Sequence, residues 1–257
     1  MEKDLDFVTA LARGLSILTC FKAGESELGN GQIARRSGLA PATVARLTHT
    51  LTQLGYLRSD AHRRKYALSA NVLSISYPFL TSFPVRELAR IHIKRLADEM
   101  GGAVCLGVLE GLQAVYIEVA CSTGWLEPSD IGTRRPLLNS AVGRALFASM
   151  EVSQQESVLN RLTIAEPSEA SELRKNAHLA RDDFDKYGMC RTAGPRWSAI
   201  AMPVFGVGER QIAISLGVPA GAFDDEQLLK RAGTCLAATT THIAIAHRNA
   251  NSQNPLS

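Results

Sequence analysis

The 257-residue chain contains no long apolar run of the kind that spans a bilayer, so no membrane helix is expected and no membrane partner. Its opening, MEKDLD, is acidic and polar; it lacks the basic and then apolar regions of a secretory signal, and the expected compartment is the cytoplasm. Cysteine is sparse and scattered. Cys20, Cys105, Cys121, Cys190 and Cys235 form no C-x-x-C pair and flank no pair of histidines, which argues against a structural zinc site. Their odd number reads as reduced, mostly buried thiols. The signatures of common enzymes are missing too: no G-x-S-x-G, no H-E-x-x-H, no G-x-x-x-x-G-K-[ST] and no G-x-G-x-x-G after a strand. The histidines (His49, His62, His92, His178, His242, His247) do not gather with Asp, Glu or Cys at ligand spacing. Cys190 beside Arg191 is the one thiol with a neighbour able to lower its pKa, although a buried, idle cysteine is the commoner fate. Neither an enzyme, nor a metal, nor a cofactor is expected. Internal repeats and low-complexity tracts are also absent.

What remains is an ordinary globular composition, 46% apolar, at a length that suits about two domains. The charge is small, +3, but unevenly placed. Asn30–Leu68 holds Arg35, Arg36, Arg46, Arg58, Arg63, Arg64 and Lys65 against Asp60 alone, a net +6, so the remainder carries −3. A basic module on a slightly acidic body is the footprint of a nucleic-acid binder.

That basic stretch has a readable order. Asn30 is a plausible N-cap for a short amphipathic helix, Gly31–Ser37. Gly38-Leu39-Ala40 makes a turn in which Gly38 supplies a positive φ. Pro41 opens a second helix reaching about Leu54; lacking an N–H costs nothing in a first turn. Val44, Leu47, Leu51 and Leu54 form its buried stripe. The opposite face carries Ala42, Thr43, Arg46, His49 and Thr50. Gly55-Tyr56-Leu57 ends the helix, and strands Leu57–Ser59 and Lys65–Leu68 flank the basic Arg63, Arg64 and Lys65. Helix, turn, helix and basic hairpin in this order constitute a winged helix-turn-helix, and the partner it implies is double-stranded DNA. The expected DNA-binding set is Gln32, Pro41, Ala42, Thr43, Arg46, His49, Thr50, Arg63, Arg64 and Lys65.

Elsewhere, Phe7–Phe21 has apolar residues at helical spacing (Val8, Leu11, Leu15, Ile17, Leu18). Ala70–Tyr77 reads as a linker helix, with Pro78 and Pro84 punctuating a boundary. A helix follows over Val85–Met100 with an apolar stripe of Leu88, Ile91, Leu96 and Met100. Strands are expected at Ala103–Leu109, Gln113–Ala120, Trp125–Ile131, Ala199–Phe205 and Ile212–Val218. Helices are expected at Leu138–Met150, Val152–Leu162, Ser168–Tyr187 and Asp224–Asn249, followed by a disordered tail, 251–257.

GQIARRSGLAPATVARLTHTLTQLGYL, the segment IGTRRPLLNSAVGRALFA (Ile131–Ala148) and the strand IAMPVF (Ile200–Phe205) resemble motifs of the IclR family of bacterial transcription regulators. The resemblance covers nearly the whole chain. It implies an α+β protein: a winged helix-turn-helix domain (1–69), a linker helix (70–83) and a GAF-like α/β effector-binding domain (84–250). It also implies a homodimer or a dimer of dimers.

The helix start after Pro136 suits an anion, because first-turn N–H groups and the helix dipole favour negative charge. Family members that sense small organic acids hold the carboxylate on backbone amides here; the matching residues are Ala141 and Val142, next to Ser140. Other family pocket positions carry over with changes. Ala199 stands where the acid sensors have a polar residue. Ser215 and Gly217 stand where they have a Ser-x-Ser pair, and Thr192 where they have an acid. Trp197 lies in the loop Met189–Ser198, which is shorter than usual, and Trp125 and Arg135 complete the expected effector-binding set. A clamp for a very small keto acid is largely missing, so the expected effector is a larger carboxylate, aromatic or amphiphilic.

The function implied is that of a repressor or dual regulator of a catabolic operon. The operator would be read by paired winged helices. Residues 70–81 and the helix Val85–Met100 would relay effector state. The alternative is a constitutive DNA-binding protein whose C-terminal domain senses nothing.

Overall fold

A computed structural model describes residues 6–22, 24–60, 62–125, 129–208 and 210–253. They divide into two compact units, Met1–Ser82 and Phe83–Ser257.

In the first unit, α1 (Thr9–Leu18), α2 (Asn30–Ser37) and α3 (Pro41–Gln53) pack on one another. A three-stranded antiparallel sheet accompanies them, made of β1 (Leu28–Gly29), β2 (Leu57–Asp60) and β3 (Lys65–Leu68), with β3 in the middle. Ile17, Leu28, Ile33, Ala34, Val44, Leu51 and Leu57 form the core. Gly38 adopts φ +69°, ending α2 in the left-handed conformation the turn requires. The N-cap of α2 is Gly29 rather than Asn30, and the Gln32 side chain turns back to accept from the Gly29 N–H at 2.8 Å. Leu54 is not in the core: α3 stops at Gln53 and Leu54 is exposed, while Thr48 fills the stripe with its hydroxyl donated back to the Val44 carbonyl at 2.9 Å. In α1 only Ile17 is buried; Phe7, Val8, Leu11 and Leu15 are exposed.

Pro78 does not mark a boundary. It lies inside α4 (Leu73–Thr81), which continues a 3₁₀ turn at Ala70–Val72. The missing N–H is tolerated because Ser74, whose carbonyl it would have met, is exposed to water.

In the second unit, α5 (Pro84–Met100) is followed by β4 (Ala103–Glu110), β5 (Gln113–Cys121) and a short edge strand, β6 (Arg134–Pro136). Then come α6 (Ala141–Ala148), α7 (Val152–Ala165), α8 (Ala170–Tyr187), β7 (Cys190–Ala193), β8 (Trp197–Val204), β9 (Ile212–Pro219) and α9 (Glu226–Gln253). The six strands form one antiparallel sheet in the order β6-β5-β4-β9-β8-β7. Successive side chains on a strand point to opposite faces. On β9 the branched Ile212, Ile214, Leu216 and Val218 alternate with the small Ala213, Ser215 and Gly217. Ala213 joins the core beneath α6 and α8. Helices α5 and α9 pack together and against the sheet.

Several expectations change here. The Trp125–Ile131 strand is absent from its described residues. Ile131 and Gly132 form a turn, and the chain rejoins β5 through the Gly132 N–H, donated to the Tyr116 carbonyl at 2.7 Å, and the Tyr116 N–H, donated to the Thr133 carbonyl at 2.9 Å, and then through β6. The stretch Met189–Ser198 is not a loop but a hairpin of β7 and β8, closed where the Gly194 N–H donates to the Trp197 carbonyl at 2.8 Å. The buried face of α5 is Val85, Ala89, Ile93, Leu96 and Ala97; Ile91 is 79% exposed. The helix α6 is shorter than Leu138–Met150, because Ser140 caps it. Residues 251–253 continue α9, and the rest of the expected tail lies outside the described residues.

Candidate functional site

Two surfaces carry the chemistry expected from the sequence. On α3, Pro41, Ala42, Arg46, His49 and Thr50 are exposed and Thr43 is half-buried. Thr50 spends its hydroxyl on the Arg46 carbonyl at 3.1 Å. Among the described residues no acid pairs with Arg46, which leaves its guanidinium available to a phosphate or a guanine edge. Gln32 is exposed, but its carbonyl oxygen is engaged by the α2 cap. Arg36 is held by Glu25, whose carboxyl the Arg36 contact lowers to about 2, so Arg36 serves the fold.

The wing differs from the simple basic hairpin of the sequence. Arg64 occupies the tip at φ +51°, a left-handed conformation rare for a side-chain-bearing residue. Arg63 pairs with Glu27 and Asp60, and Lys65 pairs with Glu27 as well. Glu27 precedes the basic stretch in sequence; the two-residue strand β1 carries it to the wing.

In the second unit, a narrow cavity lies between the sheet and the start of α6. It is lined by Trp125, Arg135, Ser140, Ala141, Val142, Trp197, Ala199, Ser215 and Gly217, with Ala103, Cys105, Tyr116 and Ser129 added by the fold. Thr192 is not among them. It stands on the edge strand β7 and lines a neighbouring cleft with Arg144 and Asn176; only Ala199 belongs to both. The sequence reading missed Tyr116 and Cys105, whose alternation on β5 and β4 was the available signal.

Small residues make the cavity possible. Ala103, Ala199, Ser215 and Gly217 leave space where the other face of the sheet is filled by branched side chains. At Gly107 a Cβ would come within 2.8 Å of the Val142 side chain, and at Gly143 within 2.1 Å of the Leu137 carbonyl oxygen. Gly107 lets α6 descend onto the sheet, and Gly143 lets the segment leading into α6 pass close against the helix. Ser140 caps the helix, its Oγ accepting from the Gly143 N–H at 3.2 Å and donating to the Pro136 carbonyl at 2.8 Å. The first N–H groups of α6, those of Ala141 and Val142, lie ahead of that capped amide and border the cavity.

Among the described lining residues the charge has one sign. Arg135, on β6, places its guanidinium carbon 5.7 Å from the Tyr116 ring centre and 5.9 Å from that of Trp197. Both are within cation–π range. No described lining residue is acidic, and no carboxylate among the described residues pairs with Arg135. Burial, followed by the neighbouring Cys105, raises the Tyr116 phenol to about 12; burial, followed by Cys121, raises the Cys105 thiol to about 12. Both stay neutral at physiological pH. The indole Nε1 of Trp125 is buried without an acceptor among the described residues. The cavity therefore offers one cation, an orphan N–H donor and a helix start to an anion, within aromatic walls.

Cys190 is fully buried, the commoner of the two fates expected for it. Burial first, then the field of Asp183, raises its thiol to about 12, so the Arg191 neighbour does not make it a reactive thiolate. Among the described residues no three His, Cys, Asp or Glu side chains gather as a metal site, and no helix is long and apolar enough to cross a membrane.

Both units have counterparts among known proteins. Residues 10–61 match the model of the IclR helix-turn-helix domain, and residues 78–245 match that of the bacterial transcriptional regulator IclR C-terminal domain. The HTH-type transcriptional regulator TsaQ1/TsaQ2 of Comamonas testosteroni is 33% identical over 213 residues, 80% of this chain and 76% of that protein. The crystal structure of an IclR family transcriptional regulator from Brucella abortus superposes with a TM-score of 0.75 at 35% identity, covering 96% of this chain and 95% of that one. An IclR homologue from Microbacterium hydrocarbonoxydans, crystallised with 4-hydroxybenzoate, shares the fold at a TM-score of 0.74 and 19% identity, over 94% of this chain and 100% of that one.

Proposed function

The chain belongs to the IclR family of bacterial transcriptional regulators, and on that premise we propose that its affinity for DNA is set by a small organic acid held in the cavity beside α6. The family is one of DNA-binding helix-turn-helix regulators rather than enzymes. The observation that carries the effector reading is Arg135: a cation between two aromatic rings, with no acidic partner among the described residues, in a cavity whose described lining includes no acid. Arg135 is partly buried, so water screens it less than a fully exposed cation and an anion beside it is favoured. Free N–H groups at the start of α6 add a second attraction for negative charge. The walls of Tyr116, Trp125 and Trp197 favour a flat apolar body, so the effector class is an aromatic carboxylate. A relative of the same fold holding 4-hydroxybenzoate agrees with this class.

In this reading the DNA-reading module spans 1–69, a linker 70–83 and the effector domain 84–250. Thr43, Arg46 and His49 of α3 face the major groove and the wing meets the backbone. The protein acts as a homodimer, or a dimer of dimers, on a near-palindromic operator in the cytoplasm. The exposed apolar residues of α1 (Leu11, Leu15) and of the segment leading into it (Phe7, Val8) support self-association. A repressor or dual regulator of a catabolic operon rests on family resemblance.

A thermal-shift series with benzoate, 4-hydroxybenzoate and benzamide tests the effector class, since a ligand that binds only the folded state raises the unfolding midpoint by mass action. The acids are expected to raise it and the neutral amide to leave it unchanged. An amide as effective as the acids contradicts the reading; no effect of any small acid on stability or DNA binding favours the constitutive alternative.

A further inference from the structure

The wing's cations already have an anion. The pairing of β1 with β3 sets Gly29 opposite Lys65. Residues two apart on an extended chain share a face, so Glu27 falls diagonally from Lys65 on that same face. Its Oε2 lies 3.2 Å from Arg63 Nη1 and 3.7 Å from Lys65 Nζ. Asp60 is the other acid nearby, 3.9 Å from Arg63 Nε, but its Oδ1 accepts from the backbone N–H groups of His62 and Arg63 at 2.9 and 3.0 Å. Asp60 therefore builds the turn. Glu27 has no such backbone duty among the described contacts, and its carboxylate is spent on two wing cations. Arg46, on the recognition helix, has no acid beside it among the described residues.

We propose that Glu27 is an intramolecular competitor for DNA phosphates, a residue that restrains non-specific binding by occupying Arg63 and Lys65. Non-specific binding consists almost wholly of cations meeting phosphates and releasing counterions. Each phosphate that reaches Arg63 or Lys65 must displace Glu27 or share the cation with it. Base contacts from α3 are untouched by this competition, because Arg46 stands apart from it. The pairs are exposed, with 66% of the Arg63 side chain and 44% of the Lys65 side chain accessible, so exchange is easy and the restraint is graded. The inference rests on the wing meeting phosphates, as the DNA-binding reading above has it.

The test measures affinity of the full-length protein for an arbitrary-sequence duplex by fluorescence anisotropy across a salt series. Glu27→Gln keeps the shape of the side chain and removes its charge. It is expected to tighten non-specific binding about two- to fivefold, the equilibrium weight of an exposed ion pair. It should also steepen the slope of log affinity against log salt by about 1 to 2, for up to two more phosphates contacted. Glu27→Asp, which keeps the charge but withdraws it by one methylene, should fall between. In an Arg63→Ala, Lys65→Ala background the gain from Glu27→Gln should vanish, the sign of a coupled interaction. An unchanged affinity and slope in Glu27→Gln overturns the proposal, and so does a gain that survives in that background. In either case binding by the unaltered protein continues to report on the DNA-binding reading separately. Unfolding midpoints within error of the unaltered protein establish that the variants are folded.

Discussion

Arg135 and the pair Arg63–Lys65 are all placed to meet an anion, yet their settings are opposite. Arg135 lies between Tyr116 and Trp197 with no acid beside it among the described residues. Arg63 and Lys65 stand in solvent and share Glu27. Arg135 is partly buried in the cavity wall, and partly buried charges are screened less than those fully in water. Exposed charges are screened within about 10 Å at ordinary salt. In the proposed reading the partly buried cation selects by chemistry, accepting an anion of the right shape, whereas the wing pair adjusts the strength of a contact that salt also adjusts. One family fold uses positive charge in two ways, and the surroundings of each side chain decide which.

The largest effect should come from the enclosed site. Arg135→Leu removes the charge and keeps an apolar wall; it is expected to weaken binding of benzoate-type acids by about 1.5–3 kcal/mol, the weight of hydrogen bonds to a charged group. Calorimetric titration checks it, and affinity of the ligand-free protein for DNA should stay the same. A parallel loss of DNA affinity would erase the contrast between the two settings. Arg46→Ala sharpens the other side. A base contact there should cost about 1–3 kcal/mol on a duplex selected by the protein from a random pool, with little change on arbitrary DNA. Equal losses on both would assign Arg46 to a phosphate and make it a third cation of the exposed kind. The smallest effect is the two- to fivefold gain from Glu27→Gln, visible only as a change in non-specific affinity and its salt slope.

The DNA-reading module was legible because its signals are local. Gly38, Pro41 and the spacing of Val44, Leu47 and Leu51 lie within one short stretch, where turn chemistry and helical periodicity speak directly. Glu27 was not legible. The strand that delivers it is two residues long, and a cross-strand diagonal leaves no trace in a window that starts at Asn30. In α5 the larger Leu88 and Ile91 suggested the wrong face; the helix lies close to the sheet through Ala89 and Ala97, and small residues bury well where backbones approach. Leu54 failed for a different reason, since α3 ends one residue before it and the chain turns at Gly55, φ +79°. The cavity's residues come from several separated segments, so periodicity alone could not assemble them. The motif resemblance brought Ala141, Val142, Ala199, Ser215 and Gly217 together, and the fold adds Tyr116 and Cys105 to that group while setting Thr192 in the neighbouring cleft.

Reciprocal titration tests the central claim, that an anion in the second unit controls DNA binding by the first. The affinity of a selected duplex is measured with and without saturating 4-hydroxybenzoate, and the affinity of 4-hydroxybenzoate with and without that duplex. Linkage requires the two ratios to be equal, and a typical coupling of about 1–3 kcal/mol makes them about 5- to 150-fold. Equal ratios clearly different from one, lost in Arg135→Leu, are the expected result. An acid that binds with the same affinity whether or not the duplex is present would contradict the account.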